Sequence, residues 1–138
     1  MVEAEGIPPT ASVVVPGLSL NYAGEWAYAY SGAIVINNNT KTQLLFTTGS
    51  GIINGLYEWG FDASDMASAK VVGYIIKMND IIIYEMIIET VTTQSGMDMD
   101  KPVRLIIPPF TKVEVQAYTT RAIDMDSFGI FTGRVYNV

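Results

Sequence analysis

The chain is 138 residues long, enough for one domain with a substantial core. Charged residues make up only 16% of it and the formal net charge is −6, so the few Lys and Arg, scattered singly, form no patch for nucleic acid or an anionic membrane. It has no Cys and no His, which excludes disulfides, thiol nucleophiles, the usual zinc ligands and the neutral-pH proton shuttle.

Residues 1–25 read as an extended N-terminal arm, interrupted at Pro8-Pro9 and Pro16-Gly17, with room for one short strand at Ser12–Val15. The opening MVEAEG is acidic where a signal peptide is basic, and no run approaches the roughly 20 apolar residues of a spanning helix. Synthesis in the cytoplasm is the expectation. Residues 26–138 read as one all-β domain. Trp26 to Ile36 is one strand, bent at Ser31-Gly32, and Asn37-Asn38-Asn39 is a turn. Thr42–Thr48 and Ile52–Phe61 are strands separated by Gly49-Ser50-Gly51, which lacks the Lys and the helix of a phosphate loop. Gly55 and Gly60 suggest bulges or close backbone approach, and Asp62–Ala69 is a loop or one helical turn.

The segment Lys70–Tyr118 is the centre of the chain and reads as two apolar hairpins, Val71–Glu89 and Val103–Tyr118. In the first, Val72, Tyr74, Ile76 and Met78 share a face, as do Ile82, Tyr84, Met86 and Ile88. A two-residue turn at Asn79-Asp80 puts these sets on opposite faces, so a bulge near Ile81 is expected to bring them together. The other face then carries Ile75, Ile83 and Ile87, three apolar residues expected at a subunit interface. In the second hairpin Val103, Leu105 and Ile107 are expected to partner Val113, Val115 and Ala117, with Pro108-Pro109 ending the first strand. Thr92–Lys101 and Arg121–Asp126 are loops, and Phe128–Tyr136 is the last strand. About eight short strands without a convincing helix indicate an antiparallel sandwich, with a jelly roll as the natural arrangement.

Candidate chemistry is thin. Asp98, Asp100, Asp124 and Asp126, in two Asp-Met-Asp triplets, are weak calcium candidates, since neither triplet continues into an EF-hand pattern. Glu58, Glu85 and Glu89 are the strand-borne carboxylates a glycosidase would need, but nothing in the spacing brings two together, so no catalytic residue and no cofactor is assigned. Trp26, Tyr28, Tyr30, Tyr57 and Trp59 form stripes that either pack inside or hold a sugar, and Tyr57 and Trp59 are the preferred ligand-binding pair. With 49% hydrophobic residues and a mean hydropathy of +0.28, the chain has more apolar surface than a lone small domain covers. Burial against a second copy or a partner follows.

The stretch Pro102 to Val115 (PVRLIIPPFTKVEV) resembles the strand–Pro-Pro–Thr–strand hairpin of jelly-roll decoration, or cement, proteins of tailed-phage heads. The ending Gly129 to Val138 (GIFTGRVYNV) resembles the last strand of such chains, which closes on a Gly-x-x-Tyr element, here Gly133 to Tyr136. The likeness covers about the C-terminal quarter to third. It implies a homotrimer on the outside of a capsid, bound to the major capsid protein and stabilising the shell. It also implies a virion location and an arm that latches onto the shell or crosses to a sister subunit. The alternative is a carbohydrate-binding jelly roll, lectin-like or at a fibre tip.

Overall fold

In chain order the strands are β1 (Asn21–Ala23), β2 (Trp26–Tyr30), β3 (Ile34–Ile36), β4 (Lys41–Thr47), β5 (Ile52–Asp62), β6 (Val71–Met78), β7 (Ile81–Glu89), β8 (Met97–Met99), β9 (Val103–Ile107), β10 (Lys112–Thr119) and β11 (Met125–Tyr136). They come from a computed structural model that describes residues 20–36, 40–62, 71–89, 97–99, 102–119 and 125–137. No helix occurs among the described residues.

The strands form two antiparallel sheets. The larger runs β1-β2-β11-β5, with β9 and β8 end to end along the far edge of β5 and β3 paired to β11 beyond β2. The smaller runs β4-β10-β6-β7. Setting aside the three-residue strands β1, β3 and β8, the order is β2-β11-β5-β9 against β4-β10-β6-β7. Apart from the β6–β7 hairpin, successive strands of this set alternate between sheets in the manner of a jelly roll. The all-β sandwich expected from the sequence is therefore the fold.

Side-chain alternation places the core. Along β10, Val113, Val115, Ala117 and Thr119 are buried between half-buried neighbours. Along β5, Ile53, Tyr57, Trp59 and Phe61 point inward. Trp59 lies 4.9 Å from Tyr74 and 5.1 Å from Phe61, ring centre to ring centre, and Tyr57 lies 5.2 Å from Tyr74. Glycines make room for this aromatic cluster. A Cβ on Gly129 would meet the Tyr57 hydroxyl at 2.5 Å, and one on Gly55 would meet the Phe131 ring at 2.4 Å. One polar chain crosses the core. The Tyr57 hydroxyl donates to Gln43 Oε1 (2.8 Å), and Gln43 Nε2 donates to Ser127 Oγ (2.7 Å). Gln43 reaches it because β4 slips register against β10 there, with Leu44 opposite Val115 and Thr42 opposite Gln116. The unpaired residue turns inward.

The β6–β7 hairpin keeps both the local and the global signal. Asn79 and Asp80 have φ of 50° and 69°, the two left-handed residues of a tight two-residue turn, and Met78 pairs with Ile81. Ile76 pairs with Tyr84 and Lys77 with Ile82, so Ile83 is the extra residue. The expected bulge is present, two residues later than Ile81, and it brings Val72, Tyr74 and Ile76 opposite Ile88, Met86 and Tyr84.

Three expectations are corrected. Val103–Tyr118 is not a hairpin: β9 pairs with β5, β10 pairs with β4 and β6, and Pro108-Pro109 carries the chain from one sheet to the other. The expected inward faces are present, but Leu105 and Ile107 line the common core from one sheet and Val113 and Val115 from the other, with no ladder between them. Trp26–Ile36 is two strands, because the chain leaves β11 at Ser31 and turns through Gly32 at φ 69°. The sheet also begins inside the span 1–25: Leu20 is buried and Asn21 pairs with Tyr28. Residues 1–19 of the expected arm, and the turn at residues 37–39, lie outside the described residues.

Candidate functional site

Tyr57 and Trp59 do not form a ligand platform. Both are fully buried, because β5 sits in the middle of the larger sheet with its odd-numbered residues turned to the core. Burial and the neighbouring Tyr74 push the Tyr57 hydroxyl well above its ordinary pKa. The pairing of Tyr57 with Trp59 on one face was legible; which face looks inward was not.

The acidic candidates stay apart. Glu58 is on the outward face of the larger sheet, whereas Glu85 is on the outward face of the smaller one, accepting a hydrogen bond from the Tyr118 hydroxyl (2.9 Å). The two cannot flank one bond. Glu89 pairs with Val71 at the end of β7. Asp98 belongs to strand β8 and pairs with Phe61, while Asp126 opens strand β11 and pairs with Val35. These are strand positions, not loop positions, and β5 runs between them. Asp100 and Asp124 lie outside the described residues. Among the described residues no three His, Cys, Asp or Glu gather at a point that could hold a metal. The resolved pKa shifts all move away from neutrality. Asp80 is lowered and Lys112 raised by their mutual hydrogen bond and ion pair (2.7 Å), and Tyr22 and Tyr118 are pushed up to about 12 chiefly by burial.

What the strands do assemble is two contrasting outer faces. On the smaller sheet Ile87 is exposed opposite Gly73, Ile83 is exposed at the bulge, and Ile75 is half-buried opposite Glu85. Around them stand Lys77, Lys112, Glu114, Gln116 and Glu85. Ile82 opposite Lys77 and Leu45 opposite Glu114 are exposed there too, so the trio expected at an interface shares a face that mixes aliphatic and charged residues.

The larger sheet turns out Trp26 (55% exposed), Tyr28 and Tyr30 (50%) from β2, and Phe128, Ile130 and Tyr136 from β11. One cross-strand row reads Trp26, Arg134, Asn54, Ile106. Both arginines of the sheet's strands are held: Arg134 donates to Glu25 (2.6 Å) and sits 5.4 Å from the Tyr136 ring centre, and Arg104 donates to Asn54 (3.1 Å). The strands of this sheet contain Arg104 and Arg134 and no Lys; those of the smaller sheet contain Lys41, Lys77 and Lys112 and no Arg. Aromatic residues and Arg are enriched at the centre of protein interfaces, where Lys is depleted. This face carries that composition.

Tyr28 and Tyr30 lie 5.2 Å apart with their rings tilted by 39°, so they present no flat platform. Beside Tyr30 a cleft of about 420 Å³ opens, lined by Tyr30, Gly32, Ala33, Phe128 and Ile130. It exists because β11 pairs with β2 from Ile130 onward and with β3 up to Ser127. Between them Ser31–Ala33 bridges, pinned by Ser31 N–H donating to the Gly129 carbonyl (2.9 Å) and Gly129 N–H donating to Ser31 Oγ (2.8 Å). The small residues Gly32 and Ala33 leave the space above Phe128 unfilled. Of this surface, the sequence singled out Trp26, Tyr28 and Tyr30. It missed Phe128, Ile130 and Tyr136, whose alternation in the last strand was the available signal.

A scan against protein-family models finds no match to this chain, and a search of curated proteins finds none either.

Proposed function

We propose that the protein is a non-enzymatic structural component of a virion. In this reading it is a capsid decoration, or cement, protein that binds the outer surface of a phage head as a homo-oligomer and stabilises the shell. The observation that carries the reading is the outer face of the larger sheet, where Trp26, Tyr28, Tyr30, Phe128 and Tyr136 stand outward on adjoining strands with two arginines and no lysine. A lone domain has no use for such a face, whereas a protein that works by burying surface does. Shallow apolar contacts of this kind gain strength when symmetry repeats them. The jelly roll and the C-terminal sequence resemblance support the same reading, with a trimer as the form that resemblance implies. The partners are then further copies of the chain and the major capsid protein, met on the capsid surface after synthesis in the host cytoplasm.

The test is addition of the purified protein to heads that lack it. Cosedimentation that saturates at a fixed number of copies per head, with heads that survive a higher temperature, is the expected result. Absence of binding at micromolar protein refutes the reading. A carbohydrate-binding module remains the second reading because Trp26 and Tyr30 are outward. Binding to a glycan, abolished by Trp26→Ala, with none to heads would put it first.

A further inference from the structure

Phe110 is the most exposed large apolar side chain among the described residues, at 70%, and its backbone is left-handed, with φ of 52°. A bulky L-residue rarely adopts that conformation, so the surroundings must impose it. They do. Phe110 N–H donates to the Gly49 carbonyl (2.8 Å), Thr111 N–H donates to Thr48 Oγ1 (2.9 Å), and Thr48 Oγ1 donates to the Pro108 carbonyl (2.8 Å). Two prolines precede the residue and shorten its freedom further. The ring is held out into solvent on a stiff corner, the form of an interface anchor that loses little entropy on binding.

The cleft beside Tyr30 is the complementary feature. Its lining is apolar, and its volume of about 420 Å³ exceeds the roughly 150 Å³ that accommodates a benzene ring. Knob and cleft lie at opposite ends of the sandwich. Phe110 is tied to Gly49 just before the start of β5, whereas Phe128 and Ile130 pair with Gly60 and Glu58 near its end. Eight strand steps separate Ile52 from Gly60, about 27 Å, so one copy cannot fill its own cleft.

We propose that copies of this chain associate head to tail, with Phe110 of one copy seated in the Tyr30–Phe128 cleft of the next. The inference rests on the self-association in the proposed function and names its contact. A contact between unlike surfaces closes into a ring when the rotation permits, and a trimer is one such ring. The anchor covers roughly 100–175 Å², given its exposure and the area of an aromatic side chain. A standard interface buries about 800 Å² per partner. Ile106 and Tyr136 at the knob end, with Tyr30 and Val35 at the cleft end, are the exposed apolar neighbours that extend it.

Two variants test the contact. Phe110→Gly removes the ring at a position whose backbone glycine adopts freely, and Ala33→Arg fills the cleft from an exposed residue. Native mass is measured by light scattering for the full chain at micromolar concentration, with circular dichroism as the folding control. The wild type is expected to be multimeric. Each variant alone is expected to fall to the mass of one chain, 15.1 kDa. An equimolar mixture is expected to form a two-chain species and nothing larger, because one competent knob and one open cleft remain. A folded variant with the wild-type mass, or a mixture that stays monomeric, overturns the contact while leaving head binding by the wild type intact. A monomeric wild type overturns it too, and head binding by that same preparation then decides the cement reading separately.

Discussion

Replacing Tyr57 with phenylalanine removes one oxygen and leaves the ring in place. That oxygen is buried, and it donates to Gln43 Oε1 at 2.8 Å, while Gln43 Nε2 donates onward to Ser127 Oγ at 2.7 Å. Without the hydroxyl, the amide oxygen of Gln43 stays in the core with no such donor. A buried acceptor left unpaired costs about 1–3 kcal/mol. With a urea dependence of about 2 kcal/mol per molar, the unfolding midpoint falls by about 0.5–1.5 M. Gln43→Met, which removes the acceptor, is also destabilising, because the Tyr57 hydroxyl then loses its partner. Combining Tyr57→Phe with Gln43→Met removes both, so the two losses do not add, and the cycle yields a coupling of about 1 kcal/mol or more. Urea titrations followed by tryptophan fluorescence measure all four proteins. An unchanged midpoint for Tyr57→Phe would refute the reasoning.

Gly129→Ala drives a methyl to 2.5 Å from the Tyr57 hydroxyl and 3.0 Å from Gln43 Oε1, so it should cost about 1–3 kcal/mol by overpacking, read as a lowered melting temperature. Deletion of Ile83 removes the bulge residue and leaves a continuous ladder with every later pair kept, so the melting temperature should move by no more than a few degrees. Alkali should unfold the chain in a defined window. Tyr22 and Tyr118 have folded pKa values raised from 10.0 to about 12, so the folded state holds their protons more tightly than the unfolded state does. Stability is then level below about pH 10 and declines from there toward about pH 12, with Tyr57 extending the decline. Parallel unfolding and tyrosinate-absorbance titrations should coincide for these groups; ionisation of all tyrosines in a still-folded protein contradicts this.

The alternation of small and large residues in β10 and β11, and the punctuation by Gly and Asn, made the strands legible. Pairing was legible only where a short turn enforces it. At Asn79-Asp80 the turn and the apolar pattern disagreed, and Ile83 absorbs the difference. At Pro108-Pro109 the two flanking strands looked like partners because both alternate in phase. The same phase also satisfies two strands that line one core from different sheets, and proline's missing donor favours that outcome. The candidate site shifted for a related reason. Both faces of β5 and β11 carry apolar residues, so Tyr57 and Trp59 gave no sign of which way they look. The inward glycines Gly55, Gly129 and Gly133 held the clue, since an aromatic core needs clearance. The cleft beside Tyr30 depends on two strands sharing one neighbour, a feature of topology and not of local pattern.

The most direct test of a protein that works by burying surface is the native mass of the wild-type chain by light scattering from nanomolar to tens of micromolar. A homo-oligomer, with a trimer as the expected form, whose mass falls toward one chain only on dilution is the predicted result. A species of 15.1 kDa across the whole range, with Trp26 and Tyr30 accessible to a fluorescence quencher throughout, would contradict the account.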